Sequence, residues 1–347
     1  MRFEKKHLRD LHRCYATGST KIDGESHIVI ATEGEGACYM YSGDDFKETT
    51  IWDNPGGTMC TVQVPGKNGD FLAVQNFFPT FNAKESIIVW SKQNDDGTWT
   101  TKKILDLPYL HRFDILTSEN GVNYFIGATL CTSKEFKDDW SDPGKIYVGI
   151  LPDDLNEPIK LKAIKEGLTK NHGYCKANWE GKESALITCE EGAFVVVPPQ
   201  NEKDDWNIKQ ILDRPISDIA VVDIDNDGID ELVTIEKFHG NKFLINKKIN
   251  GKYEIVYEYP KEIDFAHAIW AGELRGVKTI LGGYRRNEKE LFYIQYDENS
   301  ESKFKYGVID SGVGPSNVDV VHKHDKDIII SANREIGEAA LYIVTND

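Results

Sequence analysis

Apolar positions in this chain come in short runs, mostly four or five residues long, separated by clusters of Gly, Asn and Asp. Phe71-Leu72-Ala73-Val74, Ile87-Ile88-Val89-Trp90 and Ile328-Ile329-Ile330 are typical, rich in the β-branched and aromatic residues that suit a pleated, half-buried surface. Long stretches with the 3.6-residue spacing of an amphipathic helix are nearly absent, so the pattern predicts an all-β protein. The runs also repeat. Cys60-Thr61-Val62-Gln63-Val64 turns through Gly66-Lys67-Asn68-Gly69 into the run at Phe71. The run at Ile87 and then Thr101-Lys102-Lys103-Ile104-Leu105 follow. An inner strand, a tight turn, a second strand, a longer loop, a third strand and an outer strand thus form one unit, within the length range of a propeller blade.

Seven such units predict a seven-bladed β-propeller occupying residues 1–347 as a single domain, with blades at about 11–56, 57–109, 110–167, 168–214, 215–263, 264–313 and 314–347. The last unit is short, because nothing after Ala340-Leu341-Tyr342-Ile343-Val344 supplies an outer strand. Residues 1–10 precede the first unit and have no unit of their own. They are expected to provide that strand and so close the propeller, which removes an unpaired edge.

Composition narrows the function. The net charge of −16 argues against a nucleic-acid backbone as partner. No basic amphipathic segment points to a membrane surface, and no run approaches the ~20 apolar residues that a spanning helix needs. The N-terminal segment is charged, without an apolar signal region, and the six cysteines are scattered with no CxxC pair. A cytoplasmic protein with free thiols is therefore expected. Nothing in the pattern sets an oligomeric state.

The most specific motif is Asp223-Ile224-Asp225-Asn226-Asp227-Gly228-Ile229-Asp230-Glu231, lying between the strand runs Ile219-Ala220-Val221-Val222 and Leu232-Val233-Thr234-Ile235. Carboxylates at alternate positions, with a glycine for the sharp turn, suit a hard cation such as Ca²⁺ or Mg²⁺. The expected structural ligands are the side chains of Asp223, Asp225, Asp227 and Glu231 with the carbonyl of Ile229. A cation loop inside a β-hairpin resembles the FG-GAP (VCBS-type) repeat of β-propellers. The chain is similar to the propeller part of aldos-2-ulose dehydratases, enzymes that dehydrate anhydrofructose and related keto-sugars with metal assistance. That resemblance is specific at the acidic loop and assigns no histidine. The 347 residues lack room for the additional cupin-type domains of the larger enzymes, so the resemblance leaves a second, isomerising step unassigned.

Histidines recur where inner strands begin. His111, His172 and His267 open blades three, four and six, with Asp218 and Asn317 at the comparable places in blades five and seven. Side chains there point toward the propeller axis, so three imidazoles are expected to hold Zn²⁺ or another divalent transition metal with an open position. The longer loops belong to the same face and carry Cys131–Trp140, His239-Gly240-Asn241-Lys242, Tyr284-Arg285-Arg286-Asn287 and Asn333-Arg334-Glu335. Arginine forks beside aromatic rings suit a small polyhydroxylated or anionic ligand.

Two function classes follow. One is a metal-dependent carbohydrate lyase or dehydratase, eliminating water or an alkoxide from a keto- or anhydro-sugar. His239 or Tyr284 would transfer the proton, and Arg285 and Arg334 would clamp substrate or stabilise enolate charge. The other is a non-catalytic propeller that binds glycan or protein.

Overall fold

The computed structural model describes residues 1–346, with residues 80–82 described by backbone alone. It is almost entirely β: seven separate four-stranded antiparallel sheets, each running from inner to outer strand, the arrangement of a seven-bladed β-propeller. Among the described residues the helical segments are two 3₁₀ turns, Thr80–Glu85 and Arg334–Ile336. No helix is long and apolar enough to cross a membrane.

The chain divides into two compact units. Residues Tyr15–Arg214 form one of them and carry blades one to four. Within the blades the second and third strands are the deeply buried ones. Phe71–Gln75 is buried at every position, whereas the outer strand Trp99–Asp106 of the same blade alternates and faces solvent. Burial on both faces is what a near-continuous apolar run requires, because neighbouring sheets must cover both sides of it. Leu72, Phe113, Phe125 and Ile159 belong to one such packed layer, and Leu116, Ile126, Ile187 and Val196 to another. Each fully buried side chain of this size contributes about 1.5–3 kcal/mol relative to exposure.

The second unit, Met1–Cys14 with Pro215–Asp347, carries blades five to seven. Its last sheet is completed by the N-terminal strand Arg2–Asp10, which pairs antiparallel with Glu338–Thr345 from Arg2↔Thr345 to Asp10↔Glu338. Closure by the N-terminal segment thus matches the expectation from the short final unit. This outer strand is mostly exposed and rich in Arg and Lys, which protects the sheet edge from further pairing. Lys5 bridges Asp310 and Glu338 at 3.0 and 2.8 Å, fastening it across the blade.

Tight turns follow a common rule. At Asp23-Gly24, Glu180-Gly181, Asn250-Gly251 and Arg275-Gly276 both residues have positive φ. That is the type I′ geometry whose twist matches paired strands, and it explains the glycine at the second position.

Candidate functional site

In the unit of blades five to seven, three loops bring an aromatic and cationic stack together. Blade six begins Phe265-Ala266-His267. Phe265 has φ +59°, and the pairing of the first two strands slips between Ala266 and Ala268, so His267 occupies a β-bulge. A bulge re-aims a side chain at a strand end. The His267 ring is buried, and its Nδ1 lies 2.5 Å from the carbonyl oxygen of Ser316, just before the inner strand of blade seven. A carbonyl only accepts, so Nδ1 is the donor of this bond.

His239 comes from the loop between the second and third strands of blade five. It also has positive φ (+46°), and its backbone N–H donates to Ser217 Oγ at 3.1 Å. Its ring stacks on Phe265 at 4.4 Å and on His267 at 5.1 Å, with interplanar angles of 20° and 21°. The Arg285 guanidinium lies 4.5 Å from the centre of the Phe265 ring, and that of Arg286 lies 4.9 Å from it. Arg285 donates through Nε to Glu335 Oε1 at 2.8 Å, and Arg334 reaches the same oxygen at 3.0 Å. Burial alone would raise the Glu335 carboxyl, but the bonds from Arg285 and Arg334 outweigh it and hold the group below its ordinary value. His239, His267, Arg285 and Arg334 therefore share one neighbourhood, linked through Phe265 and Glu335.

Tyr284 is not part of it. Its side chain is fully buried in the core between blades five and six, and its hydroxyl donates to Glu290 at 2.7 Å. Burial, and then Glu290, push the phenol well above its ordinary value. The end of the strand explains the difference: Tyr284 closes the second strand Val277–Tyr284, buried on both faces over its last six residues, whereas Arg285 begins the loop beyond it.

The unit of blades one to four repeats the bulge. Blade three opens Tyr109-Leu110-His111, with φ +59° at Tyr109 and a register slip between Leu110 and Arg112. His111 Nδ1 lies 3.1 Å from the carbonyl oxygen of His172, the residue just before the inner strand of blade four. Nε2 is thereby an acceptor, and the Tyr15 hydroxyl donates to it at 3.2 Å. Both nitrogens of His111 thus have partners inside this unit. The two rings of His111 and His172 stack at 4.3 Å. His172 is likewise preceded two residues earlier by a positive-φ residue, Lys170. The three sites share one local geometry: a left-handed residue (Phe265, Tyr109 or Lys170), one residue, then histidine at the mouth of an inner strand. The reading of the histidines alone missed the first member.

The acidic loop of blade five folds back on itself as expected. Ligand oxygens of Asp223, Asp225 and Asp227 lie within 4.8 Å of one another. Asp223 accepts the backbone N–H groups of Asp227 and Gly228, both at 3.0 Å, and Asp227 accepts that of Ile229 at 2.9 Å. Glu231, almost wholly buried, accepts the N–H of Ile224 at 2.9 Å. The missed residue is Lys247, on the third strand of the blade. Its ammonium sits 2.6 Å from Asp225, 2.7 Å from Asp227 and 2.8 Å from Glu231. Burial by itself would lower the Lys247 ammonium, but these three carboxylates raise it well above the ordinary lysine value.

No protein-family profile matches the chain, and no curated protein sequence matches it. Solved structures do share its fold. The β-propeller domain of Cps50 (Swd1) from Myceliophteria thermophila aligns over 99% of this chain and 100% of its own, with a TM-score of 0.62 and 8% identity. The soluble aldose sugar dehydrogenase of Escherichia coli, in its apo form, aligns over 99% and 100%, with a TM-score of 0.51 and 10% identity. The PQQ-bound aldose sugar dehydrogenase of Streptomyces coelicolor aligns over 99% of both chains, with a TM-score of 0.50 and 12% identity. At such identities the likeness establishes the propeller fold and nothing finer.

Proposed function

We propose that this chain is a carbohydrate-acting propeller enzyme, a carbon–oxygen lyase that dehydrates a keto- or anhydro-sugar by β-elimination. The observation that carries the reading is the His267–His239–Phe265–Arg285 stack. An aromatic face with flanking guanidinium donors suits the C–H and hydroxyl surfaces of a small sugar. Imidazole is the side chain best matched to proton transfer near neutral pH. The resemblance of the acidic loop to that of aldos-2-ulose dehydratases supports the same substrate class. So does the description of two solved neighbours as aldose sugar dehydrogenases.

In this reading His239 takes the proton from the carbon beside the sugar carbonyl. The electron pair forms a carbon–carbon double bond, the β-carbon–oxygen bond breaks, and the hydroxyl takes up the proton held by His239 to depart as water. Arg285 steadies the negative charge that develops on the carbonyl oxygen, and Arg334 keeps Glu335, and through it Arg285, in place. A divalent transition metal is part of the proposal. His267 fits a ligand's role, since an Nδ1–H held by a backbone carbonyl is the usual outer-shell support of a metal-binding imidazole, which then coordinates through Nε2. His239 is its partner ligand or the base, and His172 is a separate ligand candidate. Such a metal would supply Lewis-acid polarisation of the carbonyl. A cytoplasmic location fits the six free cysteines, five of them buried.

The second reading, a glycan- or protein-binding propeller without catalysis, is favoured by the Arg285–Glu335–Arg334 contact, in which both guanidiniums already hold an internal carboxylate. Incubation with keto- and anhydro-sugars, monitored for the ultraviolet absorbance of a new enone, separates the two. The expected result is enone formation that His239→Gln slows by about 100-fold or more. Metal content should fall in His267→Ala, and His172→Ala tests the other candidate. Sugar binding without any enone establishes the second reading and removes the first.

A further inference from the structure

The acidic loop of blade five has the sequence of a divalent-cation site, yet its charge partner is built into the fold. We infer that Lys247 is the loop's resident cation, a tethered ammonium in the place where related hairpins hold Ca²⁺ or Mg²⁺. Strand register is the first support. Leu232 pairs with Asn246, so the next rung sets Lys247 opposite Glu231, at the foot of the hairpin that carries the loop. The ammonium has three N–H donors. Three carboxylate oxygens surround it, Asp225 Oδ2, Asp227 Oδ2 and Glu231 Oε1, all within 2.8 Å.

Four further carboxylate oxygens of the loop are engaged with its own backbone. Both Asp223 oxygens, Asp227 Oδ1 and Glu231 Oε2 each accept a main-chain N–H. A calcium ion needs six to eight oxygens at about 2.3–2.6 Å. Bringing Asp225, Asp227 and Glu231 to that distance from an ion requires Lys247 to leave. Glu231 is only 1% exposed, so some positive charge must stay beside it. One loop oxygen, Asp225 Oδ1, is buried and accepts no hydrogen bond. It is the atom a metal would engage first, and so the place where the two occupants are told apart.

The inference is independent of the proposed activity. Its test is thermal unfolding of the full chain in EGTA, in millimolar CaCl₂ and in millimolar MgCl₂, with bound calcium counted after desalting. Wild-type protein should give the same Tm in all three and retain no calcium that Asp225→Asn removes. Lys247→Met should unfold several degrees lower in EGTA, and CaCl₂ should restore most of the loss, because the vacated carboxylates then form an ordinary calcium loop. If Lys247→Met does not fold, Lys247→Gln serves in its place, and the wild-type comparison stands alone. A wild-type Tm that drops in EGTA, or one bound calcium lost in Asp225→Asn, overturns the inference.

Discussion

Single side chains carry most of what the sequence could not disclose. His267 and His111 were legible as residues at the mouths of inner strands, but the bulges that re-aim them depend on left-handed backbone at Phe265 and Tyr109. Aromatic residues seldom adopt that conformation, and nothing in their identity announces it. Lys247 was invisible for another reason: it lies sixteen positions after Glu231 and meets it only through strand pairing. Tyr284 was misleading, since one step separates the last residue of a wholly buried strand end from the first residue of the rim loop. Asp319, on the inner strand of blade seven, makes a prediction at this scale. Burial pushes its carboxyl up to about 6, against the opposing Val320 N–H and the nearby His322. Its folded value lies above the unfolded one, so its stabilising contribution is complete below about pH 4 and is lost as pH rises through 6. Asp319→Asn should therefore be more stable than wild type well above pH 6, by about 3 kcal/mol, and indistinguishable below pH 4. Urea unfolding across that range checks it, and a pH-independent difference would refute it.

At the scale of elements the sequence was far more informative. Short apolar runs and the Gly, Asn and Asp clusters between them were enough to place inner, second, third and outer strands. Local preference and final structure agree there. Blade five begins at Asp218 as read from the sequence, and its second strand follows the acidic loop. Less legible was the backbone crowding where a long loop returns to its sheet. In blade three the chain comes back from the 131–143 insertion at Gly144, where an added Cβ would stand 1.9 Å from the Thr129 carbonyl oxygen. Backbone cannot yield as a flexible side chain can, so Gly144→Ala should destabilise the protein by about 3 kcal/mol. A chemical-denaturation midpoint equal to that of wild type would contradict this close approach.

For the whole molecule, seven repeats, the short last unit and the unclaimed first ten residues were together sufficient to anticipate closure by the N-terminal strand. Which loops meet within each unit was not readable, because it depends on packing between sheets whose residues are far apart in sequence. Removal of residues 2–10 leaves Glu338–Thr345 with an open edge, next to a core of Leu341, Tyr342 and Val344. The truncated protein should self-associate, with gel filtration reporting oligomers or aggregate where the intact chain gives a discrete species. A well-behaved truncated form of unchanged Tm would show that the edge is protected in some other way.

That same strand has a consequence for the order of folding. Arg2–Asp10 and Glu338–Thr345 meet across more than three hundred intervening residues, so this pairing is among the most non-local contacts of the fold and carries a large loop-closure cost. Until it forms, the Arg and Lys residues of the unpaired strand keep it dissolved.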